Sequence, residues 1–478
     1  MYGRSLLAAS LACLFPTACS GGGAELPPYR ARSLVLFTVD TLRADQLGCY
    51  GGTAVPTPEV DRLAAEGLLF ESAYSQATLT HPALSSMLTG LLPHRSGVHA
   101  QNNRLAHGVR TLATQLQGAG VATGSFVANL CKLQDEERTV FSAGWDEVFC
   151  GMDGAADQYL WDEAVVGAAL DWIARQEGPY FAWIHLMDPH AEHHPSPADW
   201  DREARPLREK FDQYVHMNQW EERREMPPSD EYERLWALYA AEVAGVDRQL
   251  GRVLAQLDAS GPSGAWDDTA LVFSSDHGEE LYETWSRYDH GFSLTEGVLW
   301  VPLVVRAPGV APGRSDALVE TLQVAPTALG LFGLTAPYAL DGRSLLADEP
   351  SRGFALSFSQ KVSISMRTPD HRYWLRTTNK PWTRGPDEAP WRADAPWFQR
   401  RQCLARYPGP SRTAVEWLPL ADAGNRDLSE SLSARTQAFM VSLGPLPKVD
   451  WIRSSEVRDE LEKLGYAGDE DDLGEEEP

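Results

Sequence analysis

The chain is predicted to fold as an α/β protein, a mostly parallel sheet sandwiched by helices with a smaller C-terminal subdomain. Three observations predict this. Strand and helix patterns alternate from Ser33 onward, as a parallel sheet with crossover connections requires. The first strand pattern, SLVLFTV at Ser33–Val39, is almost wholly apolar, which suits a strand covered on both faces. With 478 residues, 43% of them apolar and 23% charged, the chain can bury one large core and carry an added subdomain.

Each element has a local reason. Thr57-Pro58-Glu59 opens a helix, with threonine at the cap and proline at the first helical position, and Gly67 closes it. Gly120–Val127 reads as the second strand, Tyr180–Leu186 as the third, Ala270–Ser274 as the fourth and Leu299–Arg306 as the fifth. Between the third and fourth, Glu233–Leu257 repeats apolar residues at helical spacing. From about Arg352 the pattern becomes shorter and richer in Trp, Arg and Pro. The expected division is a signal and tether over 1–24, a main domain over 33–350, a C-terminal subdomain over 351–466 and an acidic tail over 467–478.

The N-terminus, MYGRSLLAASLACLFPTACSGGGAELPP, combines one early arginine, a short apolar run and a Gly-rich spacer, the pattern of an export signal. TAC at Thr17–Cys19 resembles a lipoprotein processing site, which would place a lipid-anchored Cys19 in the cell envelope, periplasm or outer membrane. Pro16 departs from the usual aliphatic residue, and ordinary cleavage near Ala24 stays open. No later segment is long and apolar enough to span a membrane, so contact with one is expected only through that anchor. A formal net charge of −25 argues against a nucleic-acid partner and requires any anion site to be local. Four of the six cysteines remain after Cys13 in the signal and Cys19. Of these, Cys131 and Cys150 bracket a polar loop and are the expected disulfide.

Chemistry collects at strand ends. Asp40 directly follows the first strand and Asp276-His277 the fourth. The third carries His185 and leads into MDPHAEHHP, with Asp188 and His190. In open parallel sheets the ligand crevice lies outside the carboxyl ends of the strands, and two carboxylates with an imidazole suit a divalent cation. TLTHPALSSMLTG places Thr80 ahead of a helix expected to have Pro82 at its first position. Its hydroxyl is either an attacking group favoured by the positive helix end or a cap for that helix.

Several segments then resemble the sulfatase family of the alkaline-phosphatase superfamily. They are VDTLRADQLGCYGG, PTPEVDRLAAEGLLFESAYSQ, LSSMLTGLLPHRSGVH, SSDHGEEL, DHGFSLTEGVLWVPLVVRAPG, LDGRSLL and LEKLGY, spread from Ser33 to Tyr466. The resemblance implies an ester hydrolase holding one divalent metal ion, calcium by family habit, at Asp40, Thr80, Asp276 and His277. It implies catalytic roles for Thr80, His190 and His290, and substrate contacts from Arg95, Asn129 and His185. An anionic ester is the implied substrate, such as a sulfated or phosphorylated glycan or lipid.

The departures are informative. Thr41 stands where many members have a second metal-binding Asp, Leu84 where the motif has its arginine, and Val127–Leu130 where a Gly-Lys-x-His segment supplies a lysine. Thr80 occupies the position of the Cys or Ser that becomes formylglycine, and threonine cannot undergo that conversion, so no formylglycine is expected. With an imidazole in the ligand set, manganese or zinc fits at least as well as calcium. The sequence thus supports a metal-dependent hydrolase of sulfuric or phosphoric esters with Thr80 as in-line nucleophile, phosphoesters slightly favoured. The alternative is a catalytically inactive surface lipoprotein that binds an anionic glycan or polymer. Substrate specificity is expected from His193–Asp230 and from the stretch PWTRGPDEAPWRADAPWF, which suits either a sugar site or interdomain packing.

Overall fold

The computed structural model describes residues 30–154, 161–191, 193–196, 227–259, 266, 268–282, 288–291, 293–359, 363–376, 402–407, 416–419, 422–442 and 450–463. The signal with Cys19, most of the segment between His193 and Asp230, the Trp-rich stretch and the acidic tail lie outside them.

The main sheet contains β1 (Ser33–Val39), β2 (Leu68–Tyr74), β3 (Ala122–Val127), β4 (Glu147–Cys150), β5 (Tyr180–Leu186), β6 (Thr269–Ser275), β7 (Trp300–Val301), β8 (Leu303–Arg306) and β9 (Gly313–Glu320). β1 lies inside the sheet, parallel to β5 on one side and β6 on the other. Beyond β5 come β3 and β4, also parallel. Beyond β6 the direction reverses. The run expected as a fifth strand is divided by Pro302 into β7 and β8, and both pair antiparallel. Proline lacks the N–H needed to continue the ladder through that point. β2 and β9 then pair parallel to each other.

Helices cover the sheet. Among the longer ones are α1 (Pro58–Glu66), α2 (Thr80–Thr89), α3 (Trp161–Ala174), α4 (Ser229–Ala259), α5 (Val324–Leu331) and α6 (Ala423–Ser442). α1 and α3 pack on α4, and α5 packs on α2. Every residue of β1, β5 and β6 is buried, as a sheet covered on both faces demands.

The ends of α1 form for reasons outside their local sequence. Thr57 is the N-cap residue, yet its side chain caps nothing and its Oγ1 accepts from the Gly48 N–H at 2.9 Å. Asp247 of α4 takes over, its Oδ1 accepting from the Glu59 N–H at 3.0 Å and the Val60 N–H at 2.9 Å. Gly67 closes the helix in extended conformation, and a Cβ there would stand 3.0 Å from the Val305 carbonyl. Close approach to β8, and not a left-handed turn, requires glycine.

A second, five-stranded antiparallel sheet is built from Ala355–Ser359, Ser363–Arg367, His371–Arg376, Gln402–Arg406 and Glu416–Trp417, with α6 packed against it. Cys131 and Cys150 form the expected disulfide, with Cα atoms 5.7 Å apart. Among the described residues no helix is long and apolar enough to cross a membrane.

Candidate active site: a carboxylate and imidazole cluster at the strand ends

Register assembles the site. Thr38 of β1 lies level with His185 of β5 and Ser274 of β6, and His185 lies level with Val127 of β3. Two residues beyond Thr38 and Ser274 come Asp40 and Asp276. Alternation with period two returns both side chains to the face that carries His185. Asn129 follows the end of β3 in the same layer. Asp40, Asn129, His185, Asp276, His277 and Thr80 all have no exposed surface.

The chain leaves β1 through Thr41 at φ 53°, a left-handed conformation that a β-branched residue adopts only under constraint. This turn aims the Thr41 N–H at Asp276 Oδ1, 3.3 Å away, and the His277 N–H reaches the same oxygen at 2.7 Å. With Oδ1 occupied, Asp276 Oδ2 has no hydrogen-bond partner. Asp40 is divided in the same way. Its Oδ2 accepts from Asn129 Nδ2 at 3.0 Å and lies 3.5 Å from Thr80 Oγ1, while Oδ1 accepts no hydrogen bond.

The imidazoles are fixed from behind. His277 Nδ1 donates to the Gly278 carbonyl at 3.0 Å, which leaves Nε2 as a lone-pair donor 3.4 Å from both Asp276 Oδ2 and Thr80 Oγ1. His185 Nδ1 meets Thr38 Oγ1 at 2.9 Å, and Trp183 Nε1 donates to that hydroxyl at 2.9 Å. His185 Nε2 makes no hydrogen bond. Burial, with the neighbouring His290, pushes the His277 pKa down to about 3, and burial pushes that of His185 down to about 4. Both rings are therefore neutral at physiological pH. Burial and the adjacent Asp40 hold the Asp276 carboxyl well above the usual range.

Ligand atoms of Asp40, His185 and Asp276 all lie within 4.8 Å of one another. Two acids and a bare imidazole nitrogen, buried and short of hydrogen bonds, fit a divalent cation, because isolated buried charge is costly. His185, expected as a substrate contact, lies through its place in the sheet within the group of residues that could hold a cation. His277, expected as a ligand, turns its Nε2 to the same cluster.

Thr80 is the first residue of α2, whose N-cap is Leu79, so Pro82 sits two positions later than expected. The Thr80 hydroxyl faces Asp40 and His277 from the positive end of that helix. Beside it, the His290 ring lies 4.4 Å from His277 and 5.0 Å from His190. Glu279 holds His290, its two oxygens 3.2 and 3.3 Å from Nδ1. Thr78 and Gly291 exchange two hydrogen bonds of 2.7 Å, tying the His290 loop to the approach of α2. Asp162 of α3 accepts from the Met187 and Asp188 N–H groups at 2.8 and 3.2 Å, which shapes the turn before His190.

Arg95 points elsewhere than this cluster. Its guanidinium donates to Asp341 Oδ1 at 2.7 Å and to the Ala339 carbonyl at 3.0 Å. Asp341 also accepts from the Leu92 N–H at 2.9 Å, so the expected substrate contact is a bracket between two loops. Glu279 and Asp162 went unnoticed in the sequence. Glu279 was within reach, three residues after Asp276 in SSDHGEE, whereas nothing local marks Asp162 inside an apolar helix.

The family model described as Sulfatase matches residues 32–334. The "Uncharacterized sulfatase YidJ" of Escherichia coli is 24% identical over 378 residues, spanning 69% of this chain and 73% of that protein. A structure solved with its substrate D-glucosamine-2-N,6-O-disulfate aligns with TM-score 0.65 and 18% identity, covering 88% of this chain and 100% of the other. The phosphonate monoester hydrolase of Agrobacterium radiobacter aligns with the same TM-score and 18% identity, over 86% and 96% of the two chains. The matched span exceeds half of the chain and carries the whole strand-end cluster, and the chain belongs to the sulfatase family, hydrolases of the alkaline phosphatase superfamily.

Proposed function

We propose that the protein is a metal-dependent hydrolase of anionic esters in which Thr80 is the nucleophile, and that phosphoric diesters are its better substrates. The observation that carries this is the Thr80 hydroxyl, fully buried at the start of α2, 3.4 Å from His277 Nε2 and 3.5 Å from Asp40 Oδ2. Asp40, Asp276 and the imidazoles of His185 and His277 are the residues that would hold the cation. A cation bound there neutralises the carboxylate pair and favours the ionised form of a nearby hydroxyl.

The chain's own groups account for the rest. Thr80 Oγ attacks phosphorus in line, its proton passing to Asp40 Oδ2, the acceptor 3.5 Å away, and a threonine–phosphorus bond forms as the bond to the ester leaving group breaks. His290, oriented by Glu279, and His190 beside it are the groups that would give the departing oxygen its proton. Water then attacks the same phosphorus and releases Thr80. A threonine sulfate or phosphate cannot collapse to an aldehyde, so this second displacement is the exit open to it. Leu84 stands where the family resemblance would supply an arginine and Val127–Leu130 where it would supply a lysine, and all of these are buried. That favours a singly charged diester over a dianion. The mixed oxygen and nitrogen donors favour manganese or zinc at least as much as calcium.

The test is matched kinetics on an aryl phosphodiester and an aryl sulfate, with mass spectrometry of the quenched Thr80 peptide. Faster diester turnover, a phosphorylated Thr80 and loss of both in Thr80→Ala are expected. Sulfate hydrolysis surviving in Thr80→Ala removes both substrate class and nucleophile. A cation-loaded protein that turns over neither ester but retains a sulfated glycan favours the binding-protein alternative. Export with a lipid anchor at Cys19 belongs to the same proposal, supported by TAC and the glycine spacer, and membrane fractionation of Cys19→Ala tests it.

A further inference from the structure

The turn that carries Asp40 out of β1 is held by a residue about two hundred positions away. Tyr239 of α4 has no exposed surface, and its hydroxyl donates to the Thr41 carbonyl at 2.7 Å while accepting from the Arg43 N–H at 3.0 Å. These two bonds straddle Leu42, whose own N–H donates to Ser275 Oγ at 3.1 Å. The clamp therefore closes around the one residue of the site, Thr41, that adopts a left-handed backbone despite a branched side chain. That conformation costs energy and persists only where its surroundings determine it.

The clamped turn does two things at once. It sets the direction in which Asp40 projects, and it delivers the Thr41 N–H to Asp276 Oδ1 at 3.3 Å. Both carboxylates are thus tied to a turn that one phenol holds. Tyr239 is itself braced, since His193 packs edge-on against its ring at 5.6 Å and is held by Glu242 Oε2 at 2.7 Å. Glu242 and Trp236 lie three residues to either side of Tyr239 on α4, and Trp236 underlies the Arg43 guanidinium at 5.0 Å. One face of α4 thus supports the strand-end turn.

We propose that Tyr239 is a positioning residue whose hydroxyl sets the separation of the Asp40 and Asp276 carboxylates and so the affinity of the site for a divalent cation. This rests on the cation reading of the cluster. Tyr239→Phe removes the clamp and keeps the packing, and groups behind metal ligands typically govern affinity by about 10–100-fold.

The experiment titrates the metal-stripped full chain with manganese and separately with zinc, by calorimetry, alongside thermal melts with and without the cation. Tyr239→Phe is expected to bind at least about 10-fold more weakly and to lose part of the cation-induced rise in Tm. Leu250→Ala, buried farther along α4, is expected to melt lower while keeping wild-type affinity. Adding Thr41→Gly to Tyr239→Phe is expected to recover most of the lost affinity, because glycine adopts the left-handed turn without a clamp. Should Tyr239→Phe fail to fold, Thr41→Gly alone becomes the test, and the proposal requires its affinity to equal or exceed that of wild type. Tyr239→Phe binding within 2-fold of wild type, or a loss that Thr41→Gly leaves unrelieved, overturns the proposal alone. Wild-type protein that binds neither cation overturns the cation reading together with it.

Discussion

Two buried clusters of charge in this molecule are built in opposite ways. Where the second sheet meets the main one, Glu296 Oε1 accepts from Arg367 Nε at 2.9 Å and from Arg372 Nη2 at 2.8 Å, and all three side chains are at most 2% exposed. The guanidiniums also lie over Tyr74 at 5.5 and 5.4 Å, and Arg372 donates to the Leu294 carbonyl at 2.9 Å. Against the upward push of burial, the two arginines hold the Glu296 carboxyl below its usual range. At the strand ends, Asp40 and Asp276 are equally buried and face imidazoles, amides and the Thr80 hydroxyl; against the upward push of burial the neighbouring imidazoles hold Asp40 below its usual range, while burial and the adjacent Asp40 hold the Asp276 carboxyl far above its own. Burial is common to both clusters, and an internal counterion is what separates them. One cluster holds its own cationic partners, and the other sets two acids and an imidazole together where a divalent cation fits.

The largest expected effect comes from removing a strand-end carboxylate. Asp276→Asn should lower cation-dependent turnover by on the order of 1000-fold, the rate equivalent of several kcal/mol of charge stabilisation. The metal-stripped variant should melt no lower than metal-stripped wild type, since a like-charge pair has gone. A marked drop in its Tm would break the comparison by showing the pair to be structurally self-sufficient.

Glu296→Ala leaves two buried guanidiniums without their acid and should cost about 3–5 kcal/mol of stability, read from denaturant unfolding. Added manganese or zinc should not restore it. Next in size is chelation. Wild type assayed at a cation concentration of about 100 times Kd should lose about 2.7 kcal/mol when the ion is removed, and Asp276→Asn should lose nothing.

The smallest effect sharpens the contrast with a third arrangement, a buried imidazole that is neither ion-paired nor waiting for a cation. His81 donates from Nδ1 to the Gln101 carbonyl at 2.8 Å, and burial pushes its pKa down to about 4. Its unfolded value is near 6.5, so the unfolded chain takes up the proton first as pH falls. The stability linked to this residue is complete above about pH 6.5 and is lost progressively towards pH 4. At pH 5.5 that loss is about 1 kcal/mol, and His81→Gln should flatten the slope of unfolding free energy across this window.

Much of this architecture was legible in the linear chain. Ser33–Val39 and Tyr180–Leu186 are strands with the expected boundaries, and the helix read over Glu233–Leu257 extends to Ser229–Ala259. The placing of Asp40 and Asp276-His277 at strand ends was equally legible, as was the Cys131–Cys150 bridge. These features follow from apolar periodicity and spacing, which are properties of neighbouring residues and leave a local trace. Strand direction is different. β8 runs antiparallel although its composition suits either direction, because pairing is chosen by the partner strand and not by the strand itself. Caps and contacts across the fold share this property. Asp247 takes over the start of α1 from 188 residues away, Arg95 is drawn to Asp341, His185 joins the strand-end carboxylates by its register with Thr38, and Tyr239 clamps Thr41. The sequence by itself determined which segments form strands and helices and which chemical groups stand at their ends. Only the tertiary structure decided which of those groups meet, because hydrogen bonds and buried charges are satisfied by neighbours in space, and such neighbours leave no periodicity along the chain.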